Sequence, residues 1–138
     1  GTMDNILVVE DAPNFLRWVA TAITRHFPAC QVRMAATARQ AESEIATAAP
    51  SAVVLDLALP RDSGSEMPSI NAGMELLGRL ARGSRTIPTI VMSSHSAGEA
   101  CLAAGASEFI SKSSPTVLDD LLTALQAVVP RGDEGGQR

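Results

Sequence analysis

The sequence predicts an α/β domain: a parallel sheet, doubly wound, with helices on both faces. Three observations carry this. Short, continuous apolar runs at 6–9, 52–55 and 89–92, with a shorter one at 108–110, are rich in β-branched residues and do not alternate with polar ones, as expected of strands covered on both faces. Stretches with helical periodicity separate them, so strand and helix alternate five times along the chain, the pattern of a parallel sheet with crossover helices. The chain has 138 residues, 46% apolar and 19% charged, which is one globular domain that needs no disulfide or metal staple to hold a core.

The elements follow in order. Ile6-Leu7-Val8-Val9 is the first strand and ends in Glu10-Asp11. After Ala12-Pro13-Asn14, the apolar residues Phe15, Trp18, Val19, Ala22 and Ile23 fall on one face of a helix, which places Trp18 in or beside the core. Pro28 closes that helix. Residues 32–36 make a weak second strand, and Thr37 with Gln40 forms a capping-box pair that opens a helix ending before Pro50. The run 52–55 is the next buried strand, again ending in an acid, Asp56. Residues 57–72 carry no period and contain Pro60, Gly64 and Pro68, so they read as a long loop before a helix over 74–80. Pro88 introduces the strand 89–92, which ends at Ser93-Ser94. Ser96 and Glu99 predict a second capping box and a short helix to about residue 104. The strand 108–110 ends near Lys112, and Ser114-Pro115 reads as an N-cap with proline in the first turn. Leu118, Leu121, Leu122, Leu125 and Val129 are the inner face of the last helix, which Pro130 stops. Gly1-Thr2 read as an expression scar, residues 4–129 as the domain, and 130–138 as a polar tail or the start of a linker.

Composition narrows the function. Aromatic residues are 3% of the chain, with no Tyr, which disfavours a stacking platform for single strands. The net charge is −4, with 11 basic residues scattered against 15 acidic ones, so no direct contact of this segment with nucleic acid is expected. No apolar run approaches the roughly 18 residues of a membrane span, and no signal peptide is visible. Cys30 and Cys101 lie far apart and match no zinc or redox spacing; they read as reduced structural thiols of a cytoplasmic protein.

Ligands of doubly wound sheets sit at the carboxyl ends of the strands. The residues at those ends are Glu10, Asp11, Asp56, Ser93 and Lys112, and the fold gathers them in one crevice. Three carboxylates repel one another unless a cation sits among them. An all-oxygen set without His or Cys suits a hard cation, Mg²⁺ by preference. Lys112 as a point charge and Ser93 as a donor could hold phosphoryl oxygens. Asp56, central in the set, is the best candidate for a nucleophile toward phosphorus.

These residues occur in pieces that resemble the receiver domain of two-component response regulators, a CheY-like family: ILVVED ending at Asp11, VVLDLALP with Asp56 and Pro60, GMELL from Gly73, IPTIVMSS ending at Ser94, and AGASEFISK ending at Lys112. The resemblance covers nearly the whole chain and implies a five-stranded sheet in the flavodoxin-like order 2-1-3-4-5. It implies that Asp56 is the phosphoacceptor, charged by a sensor histidine kinase or a histidine phosphotransfer protein. Glu10, Asp11, Asp56 and the Ala58 backbone carbonyl would hold Mg²⁺. Ser93 is the hydroxyl that moves toward the phosphoryl group, Lys112 pairs with that group, and Phe109 stands where the family keeps an aromatic switch. Such a domain is a signalling module rather than an enzyme, catalysing only its own phosphorylation and dephosphorylation. Its output is a population shift at the face of the fourth helix, fifth strand and fifth helix, where a homodimer partner or an output domain would dock. No membrane contact is implied.

Three departures from the pattern stand out: the loop after the acceptor, the residue after Lys112, and the last helix. About nine extra residues, 61–69, lengthen the loop after the acceptor. Ser113 follows Lys112 where many members have a cis proline, and a cis bond before any other residue costs about 3 kcal/mol, which favours trans here. The KSSP segment from Lys112 resembles receivers joined to LuxR-type DNA-binding domains. The last helix lacks the basic residues that pair across OmpR-like dimers, so no such ionic dimer is expected. Ala58 and His95 occupy the two positions that tune phosphoryl lifetime: Ala58 cannot position a water, and His95 could donate to or shield the group, which together imply slow dephosphorylation.

Other readings compete. A haloacid dehalogenase-type phosphohydrolase uses the same set but needs a second Asp two residues after the nucleophile, where this chain has Ala58. A degenerate receiver serving only as a docking or dimerisation module would be expected to have lost an acid or the lysine, and all are present. His26, Trp18 and the Arg79, Arg82 and Arg85 cluster read as structural or solvated.

Overall fold

The computed structural model describes residues 4–64 and 67–129; the scar, the tail and the Pro130 stop lie outside them. The elements are β1 (Asn5–Val9), α1 (Pro13–His26), β2 (Gln31–Ala35), α2 (Ala38–Thr47), β3 (Ala52–Asp56), α3 (Ile70–Arg82), β4 (Thr89–Ser93), α4 (Gly98–Ala103), β5 (Glu108–Ser111) and α5 (Val117–Val128). All strand pairs are parallel, in the order β2-β1-β3-β4-β5, as the resemblance implied.

Each apolar strand splits its side chains between two cores, because successive residues point to opposite faces. Leu7, Val9, Val53, Leu55 and Val91 face α2, α3 and α4, packing with Ala41, Leu76, Leu77 and Cys101. Ile6, Val8, Val54, Ile90 and Met92 face α1 and α5, packing with Val19, Ile23, Leu121 and Leu125. Burying each large aliphatic side chain contributes about 1.5–3 kcal/mol. The register matters for function: Val9 pairs with Leu55, Asp56 with Met92, and Ser93 with Ser111. The strands therefore end almost level, and the residues at and just beyond their carboxyl ends meet along one edge.

Four local expectations are corrected. Trp18 is 46% exposed. The buried positions of α1 are Val19, Ala20 and Ile23, so the contact strip is centred a fraction of a turn away and Trp18 falls on its margin. Helix α3 starts at Ile70, a full turn before residue 74, with the Ser69 hydroxyl accepting from Asn71 N at 3.0 Å. Its first turn carries small residues, Ala72 and Gly73, which hid the stripe from a reading based on bulky apolar spacing. Gly73 is required there, since a Cβ would lie 2.1 Å from the Leu57 carbonyl oxygen. The box of Ser96 with Glu99 is not made: Ala97 precedes α4 without a side-chain cap, and Ala97 N donates to His95 O at 3.0 Å instead. Helix α5 begins at Val117; Ser114 closes the turn before it, accepting from Thr116 N at 3.2 Å and donating to Asp120 Oδ2 at 3.1 Å. The Thr37 cap on α2 does form, accepting from Gln40 N at 3.0 Å.

The described parts of the long loop, 57–64 and 67–69, are held by the elements beside them. Leu57 and Leu59 are fully buried. Leu59 and Ser69 exchange two backbone hydrogen bonds, at 3.3 and 3.0 Å, as an antiparallel bridge that closes the excursion. The carbonyls of Pro60 and Arg61 accept from Ala38 N and Arg39 N, at 3.0 and 2.9 Å. Those are two of the N–H groups a helix leaves unpaired at its start, so the first part of this loop caps α2. At the other end of α2, the Arg33 guanidinium donates to Glu44 O, Glu44 Oε1, Ala48 O and Asn5 Oδ1.

Candidate functional site

Strand ends deliver the predicted residues to one crevice. Glu10 leaves β1, Asp56 ends β3 and Lys112 follows β5; Glu10 and Asp56 are 3% and 6% exposed. Lys112 Nζ lies 2.7 Å from Glu10 Oε1 and 3.4 Å from Asp56 Oδ2, bridging the two acids. Carboxylate oxygens of Glu10, Asp11 and Asp56 fall within 4.8 Å of one another. Glu10 Oε2 accepts from Ala12 N at 3.0 Å, which ties the start of α1 to the site. Ala58 N donates to Asp56 Oδ1 across a long 3.4 Å.

Three acids share one ammonium in a buried crevice, and two of them, Asp56 and Asp11, hold their protons more tightly for it. Burial first, and then the negative Glu10, push Asp56 up to about 7; Lys112 and the Ala58 N–H pull the other way. Asp11 is also raised, by burial and then by Glu10. A hard cation would relieve this. Two oxygens on one Mg²⁺ can stand no more than about 4.2 Å apart, given bonds of about 2.1 Å. The cluster is close to that scale, and its donors are all oxygen, so the residues fit the ion with a small inward movement or a bridging water.

Ser93 is fully buried at the end of β4. Its hydroxyl accepts from His95 N at 3.0 Å and stands 3.5 Å from His95 Nδ1, so it is engaged with its own loop rather than with Asp56 or Lys112. The Lys112 backbone N–H donates to Ser93 O at 2.9 Å, coupling the two strand ends. His95 is exposed. Phe109 stands apart from the acids: half-buried, it packs beside Gly98 on the α4 side of the sheet. The bond after Lys112 is trans, and no cis peptide occurs among the described residues.

Phe15 is the residue that sequence reasoning misses. Its spacing places it only on a helix face, yet its ring lies under Lys112 Nζ, 4.4 Å from centroid to nitrogen. The available signal is its position in the first turn of the helix that leaves the acid pair. Size is no guide to the site: a groove of about 440 Å³ between the C-terminal ends of α2 and α3, lined by Ile45, Leu76 and Ile87, lies at the opposite end of the sheet.

Comparison with known proteins agrees with this geometry. Residues 6–126 match the response regulator receiver domain family. The chain is 35% identical over 132 residues to the transcriptional regulatory protein KdpE of Mycobacterium tuberculosis, covering 94% of this chain and 52% of that protein. It thus spans about half the length of the curated relatives it matches. Among solved structures, the receiver domain of NtrX from Brucella abortus is 26% identical with a TM-score of 0.73, covering 90% of this chain and 97% of that one. The BeF3-activated receiver domain of RstA from Klebsiella pneumoniae is 28% identical, also at 0.73, over 91% and 97% of the two chains. With five parallel strands in the order 2-1-3-4-5 and an acid–lysine cluster at their carboxyl ends, this chain belongs to the receiver domains of two-component response regulators.

Proposed function

We propose that residues 4–129 form one phosphoacceptor unit, which takes a phosphoryl group onto Asp56 from a sensor histidine kinase or a histidine phosphotransfer protein. The observation that carries this reading is the Lys112 ammonium held between Glu10 and Asp56, with Asp11 alongside. Phosphoryl transfer asks chiefly for positioning and charge neutralisation, and this cluster supplies both. An oxygen of ionised Asp56 forms the new bond to phosphorus as the bond to the donor's imidazole nitrogen breaks, and that nitrogen keeps the electron pair. Mg²⁺, held by Glu10, Asp11, Asp56 and the Ala58 carbonyl, would supply charge neutralisation for the phosphoryl oxygens. Lys112 then turns from Asp56 to the phosphoryl group. Ser93 leaves the His95 amide to donate to the same group, and Phe109, packed beside Gly98 on the α4 side, shifts with it. The face of α4, β5 and α5 passes the change to a homodimer partner or an output domain. The role is signalling, with self-catalysed phosphorylation and dephosphorylation as the only chemistry. Among the described residues no helix is long and apolar enough to cross a membrane, and Cys30 and Cys101 are unpaired, which supports cytoplasmic placement.

NMR titration tests the reading. Mg²⁺ alone should shift the amides of Glu10, Asp11, Asp56 and Ala58. Beryllofluoride, a phosphoryl mimic, should then add shifts at Ser93 and Lys112 that Asp56→Asn abolishes. Unmoved spectra in both steps would contradict it and favour a phosphorylation-independent docking module.

A further inference from the structure

Lys112 carries a flexible four-carbon stem, and its ammonium has three N–H donors. Glu10 Oε1 takes one at 2.7 Å, and Asp56 Oδ2 stands at 3.4 Å. No further oxygen acceptor for this nitrogen occurs among the described residues. The Phe15 ring stands over the same nitrogen at 4.4 Å, within the reach of a cation–π contact. The side chain of Lys112 is 20% exposed, so the ring also keeps water from one side of a charge that must stay between two carboxylates.

The ring is itself held. It lies in the first turn of α1, whose start is tied to Glu10 through the Ala12 N–H at 3.0 Å. Leu16 N donates to Ala12 O at 2.9 Å and continues that turn. Trp18, one turn on, backs Phe15 with ring centroids 5.4 Å apart at 54°. This gives the exposed tryptophan a use that core packing did not. Helix start, acid, ring and ammonium form one closed set.

We propose that Phe15 is a positioning residue for phosphoryl transfer: its ring face fixes the Lys112 ammonium between Glu10 and Asp56, with Trp18 as its support. This rests on the phosphoacceptor reading above. A purely structural role for Phe15 would be to fill space between α1 and the sheet, and the two roles separate in experiment.

The geometry is read first, without any phosphodonor. A phenyl face at this distance moves the ε-CH2 proton resonances of Lys112 upfield, and Phe15→Leu returns them to ordinary values. The rate is read next, as the initial rate of Asp56 labelling by acetyl phosphate with Mg²⁺. Phe15→Leu should slow it about 3- to 10-fold, and Phe15→Trp, which keeps a ring, should restore it. In a Lys112→Ala background, Phe15→Leu should cost nothing more. Thermal melts accompany each variant, and Phe15→Met replaces Phe15→Leu if the latter does not fold. An absent upfield shift, a wild-type rate in Phe15→Leu, or an equal loss in the Lys112→Ala background would overturn the proposal. A wild-type protein that takes no label would instead overturn the phosphoacceptor reading, and this proposal with it.

Discussion

Asp56 makes the fold depend on pH in a direction opposite to most carboxylates. Its carboxyl is raised from 3.8 to about 7 in the folded protein, mainly by burial and next by Glu10. Below pH 3.8 it is protonated in both states. Between there and about 7 the folded chain keeps a proton that the unfolded chain has released, so stability falls as pH rises. Above about 7 the whole penalty is in place. Taken at face value the shift amounts to about 4 kcal/mol. Solvent reaching the carboxyl from the crevice mouth screens part of it, and about 2 kcal/mol is a fair expectation. Asp11, raised for the same two reasons, adds in the same direction. Asp56→Asn removes the charge and keeps the shape. In urea denaturation without divalent cations, it should therefore stabilise the protein by about 2 kcal/mol near pH 8 and change little near pH 4. Mg²⁺ should stabilise the wild type at the higher pH and the variant much less. An equal effect of Asp56→Asn at both pH values, or destabilisation near pH 8, would refute the claim that an under-compensated buried charge dominates this site.

Three other perturbations test separate parts of the account. Arg33→Met strips the C-terminal carbonyls of α2 and the Asn5 amide oxygen of a half-buried donor and should cost about 2–3 kcal/mol in denaturant unfolding. Gly73→Ala forces a methyl group against the Leu57 carbonyl, two angstroms away, and should lower stability by about 3 kcal/mol and weaken Mg²⁺ binding, read by melting and by titration. Ala58→Asn places an amide where a water could be held near a phosphorylated Asp56. Loss of the phosphorylated form, followed by intact mass, should be faster than in the wild type; an unchanged rate would count against slow dephosphorylation being set at this position.

The parts of the molecule that were legible in the sequence are those in which one residue type has one use. A short, β-branched apolar run bounded by turn residues reads as a strand covered on both faces, and the fold rule for parallel sheets then brings Glu10, Asp11, Asp56 and Lys112 together before any distance is known. Features set by a partner were not legible. Whether Trp18 is buried depends on the rotation of α1 by a fraction of a turn against the sheet. The start of α3 depends on Ala72 and Gly73 being small enough for Leu57 to pass, which apolar spacing does not register. Ser96 and Glu99 had the letters of a capping box, but a six-residue helix pinned by the His95–Ala97 turn left them no role. The extra residues 61–69 read only as a lengthened loop, yet the carbonyls of Arg61, the first of them, and of Pro60, just before them, cap α2 through backbone atoms that no side-chain pattern encodes. Phe15 carried two meanings, a helix-face residue and a lid on Lys112, and only distances separate them.

The central claim is that Asp56 is the acceptor, and intact mass spectrometry after incubation with acetyl phosphate tests it most directly. One added phosphoryl group that requires Mg²⁺ and disappears in Asp56→Asn is the result this account predicts. No added mass in the wild type, or the same added mass in Asp56→Asn, would contradict it.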